Sequence, residues 1–259
     1  MEFTKEIELP EGFDWRYWVD RWERMQEHYL VRRAERYDTM ILMMRETQKP
    51  VSRIVSLGCG PGSLMLAVLE SFPQAKVFGV DFDSTMLLLA RQRLARFGNR
   101  VDLILADLRH ESWPNALATP MDAAVSATAL HWLMPEQLVD LYRWVARILR
   151  PGGIFMNADH VGSDFAPIQE AWERHRKEMR AQESNTAADD WDSFRDAYAR
   201  ALGLDIREIH RRTIGGWEGG VEEGLPLAWH FDGLRESGFR SVDCFWRCDC
   251  DAIYGGIVG

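Results

Sequence analysis

Long apolar runs are missing from this chain. No stretch approaches the ~20 consecutive apolar residues that a helix needs to cross a bilayer, so no membrane association is expected. Cysteine is scarce: four in 259 residues, too few for a disulfide framework at this length, so reduced thiols are expected. Three of them, Cys244, Cys248 and Cys250, fall along one extended segment near His230 rather than pairing across turns as structural zinc ligands do, and no metal is expected. Positive charge is in deficit as well. Lys and Arg number 31 against 40 Asp and Glu, a net charge of -9. That balance argues against the broad basic surface with which proteins neutralise nucleic-acid phosphates. The opening residues, Met1-Glu2-Phe3-Thr4-Lys5-Glu6, lack the pattern of a secretory leader, so a cytoplasmic location is expected. No G-x-S-x-G turn is present to build a serine-hydrolase triad on.

What is present centres on residues 51–81. A short run rich in β-branched residues, Val51-Ser52-Arg53-Ile54-Val55-Ser56-Leu57, leads into Gly58-Cys59-Gly60-Pro61-Gly62 and then into the apolar stretch 63–69. This reads as strand, glycine turn, helix. Glycine at alternate positions removes the Cβ atoms that would keep a ligand off the backbone. A second strand from Lys76 ends in Asp81, where an acidic side chain can accept hydrogen bonds from ribose hydroxyls. A nucleoside is therefore the expected ligand, and the G-x-G-x-G spacing suits a dinucleotide less well.

Further along, strands are expected at 101–106, 121–127 and 154–158, with helices between them. A final helix over 226–237 precedes two alternating strands, 241–249 and 252–258, joined by a hairpin. At the N-terminus Trp15, Trp18, Trp22, Met25 and Tyr29 recur at helical spacing. Either they pack on the core or they also roof a pocket. Two amphipathic helices are expected within 161–224, on the stripes containing Trp172 and Trp191, with a shorter one over 205–212 and a glycine-rich link carrying Trp217.

The motifs Leu57-Gly58-Cys59-Gly60-Pro61-Gly62, Gly79-Val80-Asp81, Ala106-Asp107-Leu108, Leu130-His131-Trp132 and Leu149-Arg150-Pro151-Gly152-Gly153 together resemble the class I, seven-strand S-adenosylmethionine (SAM) dependent methyltransferases. The resemblance implies an α/β fold: a doubly wound, seven-stranded, mostly parallel sheet with the last strand antiparallel. It divides the chain into an N-terminal helical lid (1–50), a Rossmann-like cofactor core (51–160), a helical lid insertion (161–224) and a closing helix with an antiparallel strand pair (225–259). It implies SAM as cofactor, with S-adenosylhomocysteine as product. Gly58, Cys59, Gly60 and Gly62 would approach the methionine part, Asp81 the ribose, Phe82 the adenine face, and Asp107 with Leu108 the adenine edge. Tyr37, Ser56 and Ser126 complete the expected cofactor site. Ser56 departs from the family's usual acidic residue, so the hydrogen bond to the methionine amino group falls to Ser56 or to another group.

The expected activity is methyl transfer to the oxygen or nitrogen of a small, partly apolar or aromatic acceptor, roofed by Trp15, Trp18, Trp22, Trp172, Trp191 and Trp217. A cyclase-like enzyme that uses SAM without transferring methyl, and a non-catalytic binding subunit, are the alternatives. Two histidines are candidates for catalysis. His131 follows the fourth strand, where a role in shape competes with acid–base chemistry. His160 follows Asp159, which could orient it as a base, although neighbours in an extended segment point to opposite sides. The pattern carries no signal for oligomeric state.

Overall fold

Parallel strands covered on both faces read as apolar runs, and five parallel strands form most of the sheet of this protein. In the computed structural model, which describes residues 9–117, 120–183, 189–205, 220–221 and 224–259, they are β1 (Arg53–Leu57), β2 (Lys76–Asp81), β3 (Val101–Leu105), β4 (Met121–Ala127) and β5 (Leu149–His160). Two more strands, β6 (Phe239–Cys248) and β7 (Asp251–Val258), complete a seven-stranded sheet of order β3-β2-β1-β4-β5-β7-β6. The first five strands pair in parallel, and β7 runs antiparallel to both of its neighbours, β5 and β6. β5 is longer than the expected 154–158, because β7 pairs with it as far as His160 and Leu149 already pairs with Met121 across a bulge.

Helices cover both faces. On one, α5 (Pro135–Ile148) and α8 (Leu227–Glu236) bury Leu141, Tyr142, Val145 and Leu234 against Val55, Phe155 and Tyr254. On the other, α2 (Arg33–Thr47), α3 (Ser63–Ser71) and α4 (Ser84–Leu94) pack Met40, Met44, Met65, Val68 and Leu87 on Ile54, Val77 and Ile154. α2 is therefore part of this core and not of a lid that extends to residue 50, since Met40 and Met44 are fully buried on it.

A third cluster forms above α4. The helix α1 (Trp15–Tyr29), capped by Asp14, is separated from α2 by the left-handed residue Arg32. It meets α7 (Trp191–Ala201) through Trp18, Phe194 and Tyr198, together with Met86 and Leu89 of α4. The Tyr198 hydroxyl donates to the Thr85 carbonyl at 2.8 Å, fixing α7 to the start of α4. α6 (Ala166–Glu183) lies on the surface, with no fully buried residue among those described. The expected helix over 205–212 and the glycine link with Trp217 lie outside the described residues, apart from Asp205 and Gly220. Among the described residues no helix is long and apolar enough to cross a membrane.

Candidate active site

The carboxyl ends of β1, β2 and β4 open into one cavity of about 210 Å³. Its floor is the glycine turn. Gly58 has φ +62° and Gly60 φ +50°, a region that costs a residue with a Cβ roughly 1–2 kcal/mol. The two glycines serve different ends. A Cβ on Gly58 would collide with the Cβ of Ala129, so this position lets the β4 loop cross the turn. A Cβ on Gly60 would meet nothing nearer than the Trp22 ring at 3.9 Å, so this position keeps the cavity open.

Asp81 closes the turn from the end of β2. Its Oδ2 accepts the Gly60 N–H at 2.7 Å and its Oδ1 accepts the Asp83 N–H at 2.8 Å. Burial, and after it the charge of Asp83, pushes its carboxyl up to about 7, although those backbone N–H groups favour the ionised form. A carboxylate offers about four acceptor positions, so a ligand's hydroxyls can still donate to it. That is the donor set a ribose supplies, and with the open space above Gly60 it makes the floor fit an adenosyl group.

At the end of β3, Asp107 and Leu108 line the cavity, as does the partly exposed ring of Phe82. Burial opposes ionisation of Asp107, but hydrogen bonds and charge from Arg109 override it and hold the carboxyl below its usual range. Arg109 engages both Asp107 oxygens, with Nη2 to Oδ2 at 2.6 Å. An adenine amino group would share those oxygens with a guanidinium. Ser56, Cys59 and Tyr37 also line the cavity. Burial, and then the charge of Asp81, raises the Cys59 thiol well above its ordinary value, which leaves it a neutral wall.

The remaining expected residues divide sharply. Trp22 and Trp191 line the cavity, their rings 5.4 Å apart at a steep angle. Trp18 does not: it is buried between Phe13, Phe194 and Tyr198, and its ring is used up in holding α1 to α7. Trp15 lies outside the lining, stacked on Arg16, and Trp172 is under Arg247 on α6. Ser126 is fully buried and absent from the lining, because its hydroxyl donates to the Leu57 carbonyl and ties β4 to β1. Trp217 lies outside the described residues.

Neither His131 nor His160 lines the large cavity. Both face a small one behind it, which shares Leu130 and Leu133 as walls. Their partners are crossed with respect to the expectation. Asp159 takes the imidazole of His131, Nδ1 to Oδ1 at 2.7 Å, while His160 turns its Nδ1 to Asp251 at 2.7 Å. Adjacent residues on β5 point apart, so Asp159 can reach only the backbone N–H of His160. Asp159 also accepts the N–H groups of Leu130 and His131, which pins the turn carrying Trp132 into the large cavity.

Several lining residues had no role assigned from sequence: Gln26, Arg33, Thr128, Trp132 and Arg195. Trp132 belongs to a motif already noted, and its ring lies 6.4 Å from Trp191. Arg33 is held by Glu23, a carboxylate of α1 that also takes Arg93 of α4 and, at 2.6 Å, the hydroxyl of Ser63 at the start of α3. Burial disfavours the charge on Glu23, yet Arg33 and Arg93 keep its carboxyl below the usual range. The Nε of Arg33 is buried with no hydrogen-bond partner among the described residues. No residue type announces such a clasp, because its members are spread over 70 positions of chain.

Comparison with known proteins agrees with this geometry. Residues 54–153 match the family model described as a methyltransferase domain. The trans-aconitate 2-methyltransferase of Azoarcus sp. (strain BH72) is 38% identical over 113 residues, 44% of this chain and 41% of that protein. The malonyl-[acyl-carrier protein] O-methyltransferase of Halalkalibacterium halodurans is 25% identical over 179 residues, covering 68% of this chain and 60% of that one. The chain thus spans less than half the length of the first of these relatives. In fold it is similar to a putative O-methyltransferase from Nostoc punctiforme (TM-score 0.58, 14% identity, 99% of this chain and 64% of that one). It is likewise similar to human N-acetylserotonin methyltransferase in complex with SAM (TM-score 0.52, 15% identity, 97% and 60%). Residues 54–153 thus form a methyltransferase domain, in a fold shared with SAM-dependent methyltransferases.

Proposed function

We propose that this protein is a SAM-dependent methyltransferase acting on a small, partly apolar or planar acceptor, by O- or N-methylation. The observation that carries this reading is the convergence of Trp22, Trp132 and Trp191 from three separate elements on the cavity that also holds the glycine turn and Asp81. Aromatic side chains present large flat apolar area at little entropic cost, which suits a planar partner.

SAM, when bound, supplies a methyl group already activated by its sulfonium charge. The protein's own residues then have to bind, align and exclude water. Asp81 would hold the ribose hydroxyls, Phe82 the adenine face, and Asp107 with Leu108 the adenine edge. Arg33, with a buried N–H to offer and Tyr37 beside it, would meet the methionine carboxylate, and Ser56 the amino group. The tryptophans would hold the acceptor in line, and proximity of this kind is worth about 7–11 kcal/mol in favourable cases.

Among the described residues that line the large cavity there is no histidine. This favours an acceptor that arrives already nucleophilic, as a carboxylate or a neutral amine. The relatives named for trans-aconitate and malonyl-[acyl-carrier protein] support a carboxylate as a second, compatible reading. For an acceptor that arrives protonated, His131 with its tautomer set by Asp159 is the candidate base, ahead of His160.

The test is incubation with methyl-labelled SAM and two panels, planar aromatic amines and phenols, and small carboxylic acids including trans-aconitate. Labelled product with one equivalent of S-adenosylhomocysteine supports the reading. A converted substrate with SAM intact would point to a cyclase-like enzyme, and no calorimetric binding of SAM to a non-catalytic subunit.

A further inference from the structure

A buried chain of hydrogen bonds leads from Asp159 away from the large cavity. Asn157 Nδ2 lies 3.5 Å from Asp159 Oδ2 and 2.8 Å from the Tyr254 hydroxyl. The Tyr254 hydroxyl is 3.2 Å from that of Tyr142, which in turn is 2.8 Å from His230 Nδ1. None of these five side chains is more than 3% exposed.

One consistent set of proton directions in this chain starts from its first member. Burial works against the charge on Asp159, but His131 and then His160 overcome it and hold the carboxyl far below its usual range. The Asn157 amide must therefore turn its NH2 toward that carboxylate, and the same group donates to Tyr254. In that set Tyr254 donates its own proton to Tyr142 and Tyr142 donates to His230 Nδ1; the reverse order, from His230 Nδ1–H through Tyr142 to Tyr254, is the alternative that the tautomer of His230 distinguishes. Burial pushes His230 down to about 4, so at neutral pH the ring carries one proton. With a lone pair on Nδ1, that proton sits on Nε2.

This N–H has no hydrogen-bond partner among the described residues, although the ring is buried. The Leu225 carbonyl, which accepts the Gly162 N–H at 3.1 Å, favours the protonated ring but makes no hydrogen bond to Nε2. His230 lines the small cavity behind the acceptor wall, together with Asp159, Tyr254 and the imidazoles of His131 and His160. The cavity offers about 10 Å³, the room of one water molecule. Polar side chains stand among its mostly apolar lining, whereas the voids that stay dry are apolar throughout.

The geometry points to a built site for one ordered water molecule here, whose oxygen accepts from His230 Nε2–H and which serves as a fixed part of the wall behind the large cavity. His160, which commits Nδ1–H to Asp251, lines the same cavity and keeps its Nε2 as a second partner for the water. The water completes the chain that ends on Asp159, and Asp159 pins the turn bearing Trp132. It is a positioning element, and it holds whichever acceptor the enzyme takes.

Two measurements on the unmodified full chain test this. The first is a crystal structure at a resolution where water is visible, about 1.8 Å or better. The expected result is a single well-ordered peak at roughly 2.7–3.2 Å from His230 Nε2. A protein side chain in that position, or featureless density there, overturns the inference. The second is 15N NMR of the histidines at pH 7. Protonated Nε2 with unprotonated Nδ1 for His230 supports it; the opposite tautomer, or a doubly protonated ring, overturns it. His230→Phe identifies the His230 signals by their loss, and a variant that fails to fold leaves both measurements on the wild type intact.

Discussion

Asp81 grips Gly60 through a 2.7 Å hydrogen bond from the glycine N–H to its Oδ2, across 21 residues of chain. The same carboxyl, pushed up to about 7 by burial and then by Asp83, is the group that ligand hydroxyls would meet. Hydroxyl donors favour its ionised form and lower its pKa on binding. Affinity for S-adenosylhomocysteine should therefore climb as pH rises from about 5 to about 7 and then level, with a proton released on binding inside that window. Without ligand the shift acts on stability in the opposite sense: stability is greatest below the ordinary carboxylate range and falls as pH rises toward 7. Calorimetry in buffers of different ionisation enthalpy reads the proton. Asp81→Asn should abolish the release and weaken binding about 10- to 100-fold, roughly 1.4–2.8 kcal/mol; an affinity flat across pH 5–7 in the wild type would contradict this.

The two glycines should fail differently. Gly58→Ala drives a methyl group into Ala129 and should cost several kcal/mol of stability, as overpacking adds to left-handed strain. Gly60→Ala has room, so its cost should stay near the roughly 1–2 kcal/mol of its positive φ, while its methyl projects into the cavity and cuts S-adenosylhomocysteine affinity at least tenfold. Denaturant unfolding and calorimetry on the pair separate the two. Equal losses of stability would remove the distinction.

Trp191 and Trp22 touch the acceptor's end of the cavity without, on this reading, touching adenosine. Trp191→Ala should raise the acceptor KM by about tenfold or more, in line with the roughly 2 kcal/mol typical of a buried aromatic anchor. S-adenosylhomocysteine affinity should change less than threefold. Trp18→Ala should instead lower stability by about 3–5 kcal/mol, as large core truncations do, because its ring is packed inside the α1–α7 seam.

Glu23 joins α1 to α2, α3 and α4 at once. Glu23→Gln leaves Arg33 and Arg93 facing each other without the carboxylate between them, and removing one member of a buried ionic cluster costs about 3–5 kcal/mol. Because the folded protein holds this carboxyl below its usual range, the contribution is present above the ordinary Glu value and fades as pH falls through the lowered one. Thermal unfolding between pH 3 and 7 should show the wild type and Glu23→Gln converging at the acid end. A constant gap at all pH values would rule out the clasp as its source.

The floor of the site could be read from sequence because its chemistry is local. Strand, glycine turn and terminal Asp81 are each set by a few consecutive residues, and so is the Asp107-Leu108 pair. The walls could not be read in the same way. Helical spacing places Trp15, Trp18 and Trp22 on one stripe, but only the fold decides that Phe194 and Tyr198 occupy Trp18 while Trp22 reaches the cavity. The histidines make the same point: Asp159 and His160 are neighbours in sequence, yet the pleat sends one to His131 and the other to Asp251. Thr128, at φ +54°, is equally silent, since threonine does not advertise a left-handed backbone.

Trp22 and Trp191 stand 169 positions apart and belong to segments outside the matched stretch 54–153, yet their rings nearly touch above a floor drawn entirely from within it. With these rings holding the acceptor as proposed, substitutions in the two outer segments would change what enters while the grip on the nucleoside stays with the residues of the floor.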